Sequence, residues 1–317
     1  MQGLKYLKQL TTLNFEFWFP QSNYSSETFL FDLFHHLSSL QSLTSLNLRY
    51  FNFNISEFLN LFIHRKNLIP FQQFHLYCFG QDINNIFLQQ LAFALQHLQN
   101  LKKFHLSLLL SAISDTGITP LSEKLQKFPQ TKNLTLDFGK CKNLNEKSLE
   151  ILSKGIANLN LVSFNLNILG KQQQPKSFLD QPVGSWKDQK DQKEFASFSF
   201  VIQKFTCLST LSLNPSLFHV NIKEFKRFPG ALSSLINLNS LFLELPQFTS
   251  GNNFEGFTSF GLALRDLPNL NLLHLVALKG ATLRDQEVMF LYLNVKACRF
   301  LKDLKLCFEQ TNLTDEC

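Results

Sequence analysis

No stretch of about 18 consecutive apolar residues occurs in this 317-residue chain, so no membrane-spanning helix is expected. No Cys-x-x-Cys joins any of the six cysteines, and no histidine pair stands beside them at metal-finger spacing, which excludes a zinc-finger reading. Cysteines scattered in this way suit a reducing compartment. No run of five basic residues is present, and a net charge of +6 is mild for this length. That argues against nucleic acid or an anionic membrane as the main partner. The phosphate-loop pattern GxxxxGK[ST], the dinucleotide pattern GxGxxG, the zinc-protease pattern HExxH and the nucleophile elbow GxSxG are all missing. The opening residues MQGLKYLKQLTTLNF hold neither an apolar signal core nor a small-residue cleavage site, so a cytoplasmic, intracellular protein is expected. The Asn-x-Ser/Thr matches at Asn23, Asn54, Asn133 and Asn312 then read as chance. Nothing in the sequence asks for a cofactor, a metal or a small-molecule substrate, and the expectation is of a protein that is not an enzyme.

What the chain does have is a core in abundance. Hydrophobic residues make up 44% and charged residues 17%, and there are 35 phenylalanines, many at positions where leucine would otherwise sit. Residues 37–48 read LSSLQSLTSLNL, with leucines spaced by three, three, three and then two. A helix face needs three and four in alternation, and a strand needs two throughout. The terminal L-x-L is a short strand whose two leucines point one way, and the earlier steps form the turn leading into it.

The same frame recurs. It is seen in LKQLTTLNF ending at Phe15, LIPFQQFHL at Leu76, LQNLKKFHL at Leu106, LINLNSLFL at Leu243 and LPNLNLLHL at Leu275, among ten copies in all. Successive copies end 33, 28, 30, 30, 30, 47, 30, 32 and 31 residues apart. Between strands the spacing turns helical, as in 54–63, 83–98, 119–128, 145–156 and 283–297. In 83–98 the apolar steps are Ile86, Leu88, Leu91, Ala94, Leu95 and Leu98. Asn54 with Glu57 suggests a capping box, and Thr119–Pro120 suggests a cap followed by a first-turn proline. Each unit is thus strand, loop, helix and return loop, and stacked units bury a continuous core.

This pattern resembles the leucine-rich repeats, and the α-helix in a long repeat resembles their ribonuclease-inhibitor-like subclass; 145–166, NEKSLEILSKGIANLNLVSFNL, is the nearest copy. The resemblance implies an α/β solenoid, a horseshoe of about ten strand–helix repeats, with a parallel sheet on the concave face and helices on the convex face. It also implies a non-enzymatic scaffold that binds a protein partner. The expected organisation is one domain over 1–317 with a polar insertion at 170–194. The usual asparagine or cysteine three residues after L-x-L is replaced here, by Phe79, Leu109 and Gly139 for example, so uneven turns are expected. The first repeat is already under way at Leu4, and terminal rungs without a polar cap would need a partner.

The middle residue of each L-x-L should face solvent. That row runs from Asn14 through Asn47, His75, His105 and Phe242 to Lys305, and is mostly polar. His75 and His105 should lie side by side as a solvated ladder or a partner contact; their neighbours Asn47 and Thr135 are poor metal ligands. Candidate contact residues are Arg49, His75, Tyr77, Lys103, His105, Phe242 and Glu244, since aromatics and arginine are enriched at binding hot spots. Trp186, inside the polar insertion, is either tucked against the flank or an anchor for a partner. His35–His36 read as part of an exposed helix face. Two other functions fit the same architecture: a structural component of a cytoskeletal or ciliary assembly, and, more remotely, a regulator of a small GTPase or other enzyme.

Overall fold

The structure, a computed structural model, describes residues 6–18, 40, 42–51, 71–80, 83–96, 98–141, 143–168, 194–214, 219–221, 225–245, 247–249, 254–277 and 285–308. The helix expected over 54–63 with its Asn54–Glu57 cap, the pair His35–His36, and the insertion through Lys193 with Trp186 lie outside these residues.

Ten strands form one parallel sheet: β1 (Thr12–Trp18), β2 (Ser45–Phe51), β3 (Gln73–Phe79), β4 (Lys103–Leu109), β5 (Asn133–Asp137), β6 (Ser163–Asn167), β7 (Thr210–Asn214), β9 (Ser240–Glu244), β11 (Leu272–Ala277) and β12 (Asp303–Phe308). Their order in the sheet is their order in the chain. Two three-residue strands, β8 (His219–Asn221) and β10 (Gln247–Thr249), make a separate parallel pair that the sequence pattern did not announce. Every L-x-L sits in the same register, so Leu46, Phe74, Phe104 and Leu134 form one row and Leu48, Leu76, Leu106 and Leu136 the next. The four leucines of that second row are fully buried. Each fully buried leucine contributes about 1.5–3 kcal/mol, so the two rows are the main source of cohesion.

Phenylalanine fills the core as expected. Phe74 stacks on Phe104 at 6.2 Å, and Phe104 meets Phe128 edge-on at 6.5 Å. Phe225 packs against Phe228, Phe257 and Phe260 at about the same spacing, 6.1, 5.9 and 5.9 Å.

Seven helices are described: α1 (Asn85–Leu95), α2 (Asp115–Leu125), α3 (Glu146–Ile156), α4 (Glu194–Ile202), α5 (Arg227–Ser233), α6 (Phe254–Arg265) and α7 (Asp285–Lys296). Each packs on the next, from α1 against α2 to α6 against α7, so the helices form a second file beside the sheet. Three details depart from expectation. In α1 it is Phe87, Leu88, Leu91, Ala92, Ala94 and Leu95 that are buried, while Ile86 faces outward. The cap is Asn84, whose side chain accepts from the Ile86 and Phe87 amides, and this start turns Ile86 off the core face. Helix α2 starts at Asp115 rather than 119, with Pro120 inside it. The burial of Ile118, Leu121 and Leu125 outweighs the one backbone bond that proline removes. Glu194, expected to close the insertion, already belongs to α4.

After β3, β4 and β5 the turn residues Gly80, Leu110 and Lys140, equivalent in three consecutive units, take positive φ of 141°, 57° and 62°. The backbone carries part of the ladder: Gly80 N–H donates to Leu109 O and Leu110 N–H to Gly139 O. The rest falls to side chains five residues after L-x-L rather than three. Ser111 Oγ (3.3 Å) and Cys141 Sγ (2.9 Å) both donate to Leu108 O. Burial pushes the Cys141 thiol upward in pKa, which keeps its proton in place for this bond.

A second ladder runs after the helices. Thr131 Oγ1 donates to Leu101 O (2.9 Å), Asn237 Nδ2 to Thr206 O (2.8 Å) and Asn269 Nδ2 to Ile236 O (2.8 Å). A third joins helix starts. Asn145 Nδ2 donates to Asp115 Oδ2 (3.0 Å), and Ser148 Oγ donates to Asp115 Oδ1. All three bridge neighbouring units, so each unit satisfies polar groups that another leaves open.

Helices α2 and α3 approach closely at Gly155 of α3. A Cβ there would lie 2.7 Å from Ser122 O and 2.8 Å from Ser122 Cα, both backbone atoms of α2. Gly155→Ala is therefore expected to cost about 1–3 kcal/mol through forced separation of α2 and α3. Gly230 of α5 has nothing within 4 Å of the same built atom. Gly230→Ala is expected to gain about 0.5–1 kcal/mol by stiffening the helix. Chemical denaturation midpoints of the two variants, moving in opposite directions, check this.

Candidate interaction face

The strand period of two that buries the leucine rows sends the alternate side chains to the open face of the sheet. Pairing places Asn14, Asn47, His75, His105, Thr135, Asn165, Ser212, Phe242, His274 and Lys305 in one unbroken row across ten strands. The sequence-derived candidates fall into two groups along it.

The first group spans β2–β4. His75 and His105 lie side by side with ring centroids 5.7 Å apart. Tyr77 leans on His105 at 4.4 Å, and the Arg49 guanidinium sits over the Tyr77 ring at 4.9 Å. Lys103 opens β4 two residues before His105 and is exposed, as is Arg49. The structure thus brings five of the named residues into one basic and aromatic cluster. Burial, aided by the Lys103 charge, lowers the His75 pKa. Burial, then His75 and Arg49, lowers that of His105 to about 4. Both imidazoles are neutral at pH 7, and the positive charge of the cluster belongs to Arg49 and Lys103.

The second group lies on β9–β12. Phe242 meets His274 edge-on at 4.9 Å, and His274 Nε2 stands 3.4 Å from Asp303 Oδ1. Glu244 is two residues beyond Phe242 on the same face, half-buried. From β4 to β9 is four strand steps, about 19 Å, so the two groups are separate foci. In the middle row the strands between carry small uncharged polar residues, Thr135, Asn165 and Ser212.

One carboxylate in that middle stretch was not a candidate from sequence. Asp137 accepts from Ser107 Oγ (3.2 Å), Asn167 Nδ2 (2.8 Å) and Gly139 N–H (3.1 Å). The signal that could have found it is its place in the same row as Arg49 and Tyr77, with donors one strand away on either side. Among the described residues no group of three or more His, Cys, Asp or Glu is placed to hold a metal ion, and no helix is long and apolar enough to cross a membrane.

No protein-family model and no curated protein matches the sequence. Solved structures do. A chain of the yeast Rad7–Elc1 complex is similar over 99% of this chain and 74% of its own length, with 16% identity and a TM-score of 0.50. The fold is a leucine-rich-repeat solenoid. The internalin inlF of Listeria monocytogenes is also similar, at 16% identity over 98% of this chain and 84% of that one, with a TM-score of 0.41. These neighbours are leucine-rich-repeat proteins, and at such identities the likeness concerns the fold. In the solenoid the two foci lie on the sheet side, opposite the file of helices.

The pKa of His105 has a consequence for stability. An unfolded histidine binds its proton near pH 6.5, whereas folded His105 binds it only near 4. Between those values the unfolded chain holds more protons, so stability falls as pH drops from about 6.5 to 4. His105→Gln is expected to flatten that part of a thermal-melting profile against pH. An unchanged slope would contradict the buried, cation-flanked setting of the ring.

Proposed function

We propose that this protein is a non-enzymatic, cytoplasmic scaffold that binds a protein partner through the open sheet face. The reading rests on one observation above the others. The alternate strand residues form a continuous solvent-facing surface with an arginine–tyrosine–histidine focus at β2–β4 and a phenylalanine–histidine focus at β9–β12. A surface ten strands long, at about 4.8 Å each, is on the scale of another folded protein rather than a small ligand. Rigid aromatic and arginine side chains offer contact area at low entropic cost. Scattered free cysteines, two of them buried, fit the intracellular placement. The Rad7–Elc1 neighbour is itself a complex of proteins, which supports the same class of partner. Trp186, in the polar insertion, is proposed as a further anchor for the partner.

Affinity purification from the native cell, read by mass spectrometry, tests the proposal. Tyr77→Ala or Phe242→Ala is expected to deplete the captured partner at least tenfold, while Lys154→Ala on the exposed side of α3 leaves it in place. Loss with Lys154→Ala and retention with both face variants would move the binding site off the sheet.

A further inference from the structure

The β2–β4 focus specifies more than a generic contact, and the ligand chemistry assigned to it rests on the open-face reading. Arg49 and Lys103 stand at opposite corners of the cluster, with Tyr77, His105 and His75 between them. Among the described residues neither cation has a carboxylate within salt-bridge distance. Asp137, an acid two strands from Tyr77, is already held by three donors of its own. Glu16 lies in register with Arg49 on β1 and engages a contact of its own. The positive charge of Arg49 and Lys103 is therefore offered outward.

The floor shows a second preference. The side-chain oxygen of Asn47, one strand from His75, is shut off from solvent and accepts no hydrogen bond among the described residues. The same holds for the oxygens of Asn167 and Asn214, which pair in register further along the face. Buried acceptors without donors are rare and costly. They call for a ligand that brings hydrogen-bond donors, as a peptide backbone does and an ionised phosphate does not.

We propose that the β2–β4 patch docks an extended acidic segment of the partner protein, with one carboxylate on Arg49, a second on Lys103, and an apolar or aromatic residue between them on the Tyr77–His105 floor. The two cations lie two strands and four residues apart, a diagonal of about 16 Å, which equals about five residues of extended chain. Side chains of an extended chain alternate, so the two carboxylates that face the patch together should be four positions apart, with the reach of the side chains spanning the remainder. Both imidazoles are neutral at pH 7, so they stack and donate without adding charge, and binding is set by the two permanent cations.

The test uses the full chain and fluorescent nonapeptides, read by anisotropy. The probe carries two glutamates four positions apart around a central phenylalanine, so that all three side chains share one face of an extended chain. Its controls replace both glutamates by glutamine or by lysine, and a single-stranded RNA of similar size is the other polyanion. The glutamate peptide should bind at least tenfold tighter than the glutamine peptide, and weaken with added salt. Arg49→Gln and Lys103→Gln should each weaken it about tenfold, while Lys154→Gln, on the exposed side of α3, leaves it unchanged. A thermal melt within a degree or two of the parent confirms that each variant is folded. Equal binding of the glutamine peptide, preference for RNA, indifference to both cation substitutions, or no binding at about 1 mM peptide each overturns the proposal. If the proposal fails while Tyr77→Ala and Phe242→Ala still deplete the cellular partner, the open-face reading stands and only the acidic chemistry is wrong.

Discussion

A single strand–helix unit cannot bury its own leucines. Every other feature follows from that constraint. Leu76 and Leu106 disappear from solvent only because each lies in register between equivalent side chains above and below. Register in a parallel sheet cannot slip by one residue without turning the whole apolar row outward. The requirement to hide the leucines therefore also fixes which residues are left facing solvent. Arg49 meets Tyr77, and Tyr77 meets His105, because Leu48, Leu76 and Leu106 are locked one position away. The open face is the other side of the core.

Polar bonding between units serves the same constraint. Side chains at Cys141, Thr131, Asn237 and Asn269 all reach carbonyls of an adjacent unit, about one repeat away. Ser111 adds a local bond to the same Leu108 carbonyl that Cys141 reaches. A unit removed from the stack would lose both its apolar cover and several hydrogen-bond partners. That is why stability in such a chain is a property of neighbours rather than of any one unit.

The strand frame was legible because its signal is short-range and repeated: period two in L-x-L, seen ten times. The face was legible for the same reason, since alternation assigns His75, His105 and Phe242 outward without any knowledge of contacts. Helix starts were less legible. At α2 the backbone N–H of Ser114 is taken by Asn85 Oδ1, from the preceding unit, and Ser114 makes no side-chain cap bond of its own. A cap supplied across 29 residues leaves no local trace, and Thr119–Pro120 supplied a false one. The leucine-rich-repeat pattern places the inter-unit ladder three residues after the strand, whereas here it stands five residues after, and again beyond the helices. The neutrality of the two imidazoles and the engagement of Asp137 depend on burial and on donors from adjacent strands, which spacing alone does not reveal.

The most direct test of the stacked-unit account is a set of distances along the open face. Paired spin labels, on cysteines introduced at Asn14 with Asn165, Ser212 or Lys305 in a background lacking exposed Cys207, report them. The labels should lie about 24, 29 and 43 Å apart, rising by about 4.8 Å per strand however many residues intervene. The telling pair of values is the first two: Asn165 and Ser212 are separated by 47 residues, yet count as a single step. A jump far larger than one step between them, or distances that do not grow with strand order, would contradict the stack and with it the face on which binding is proposed.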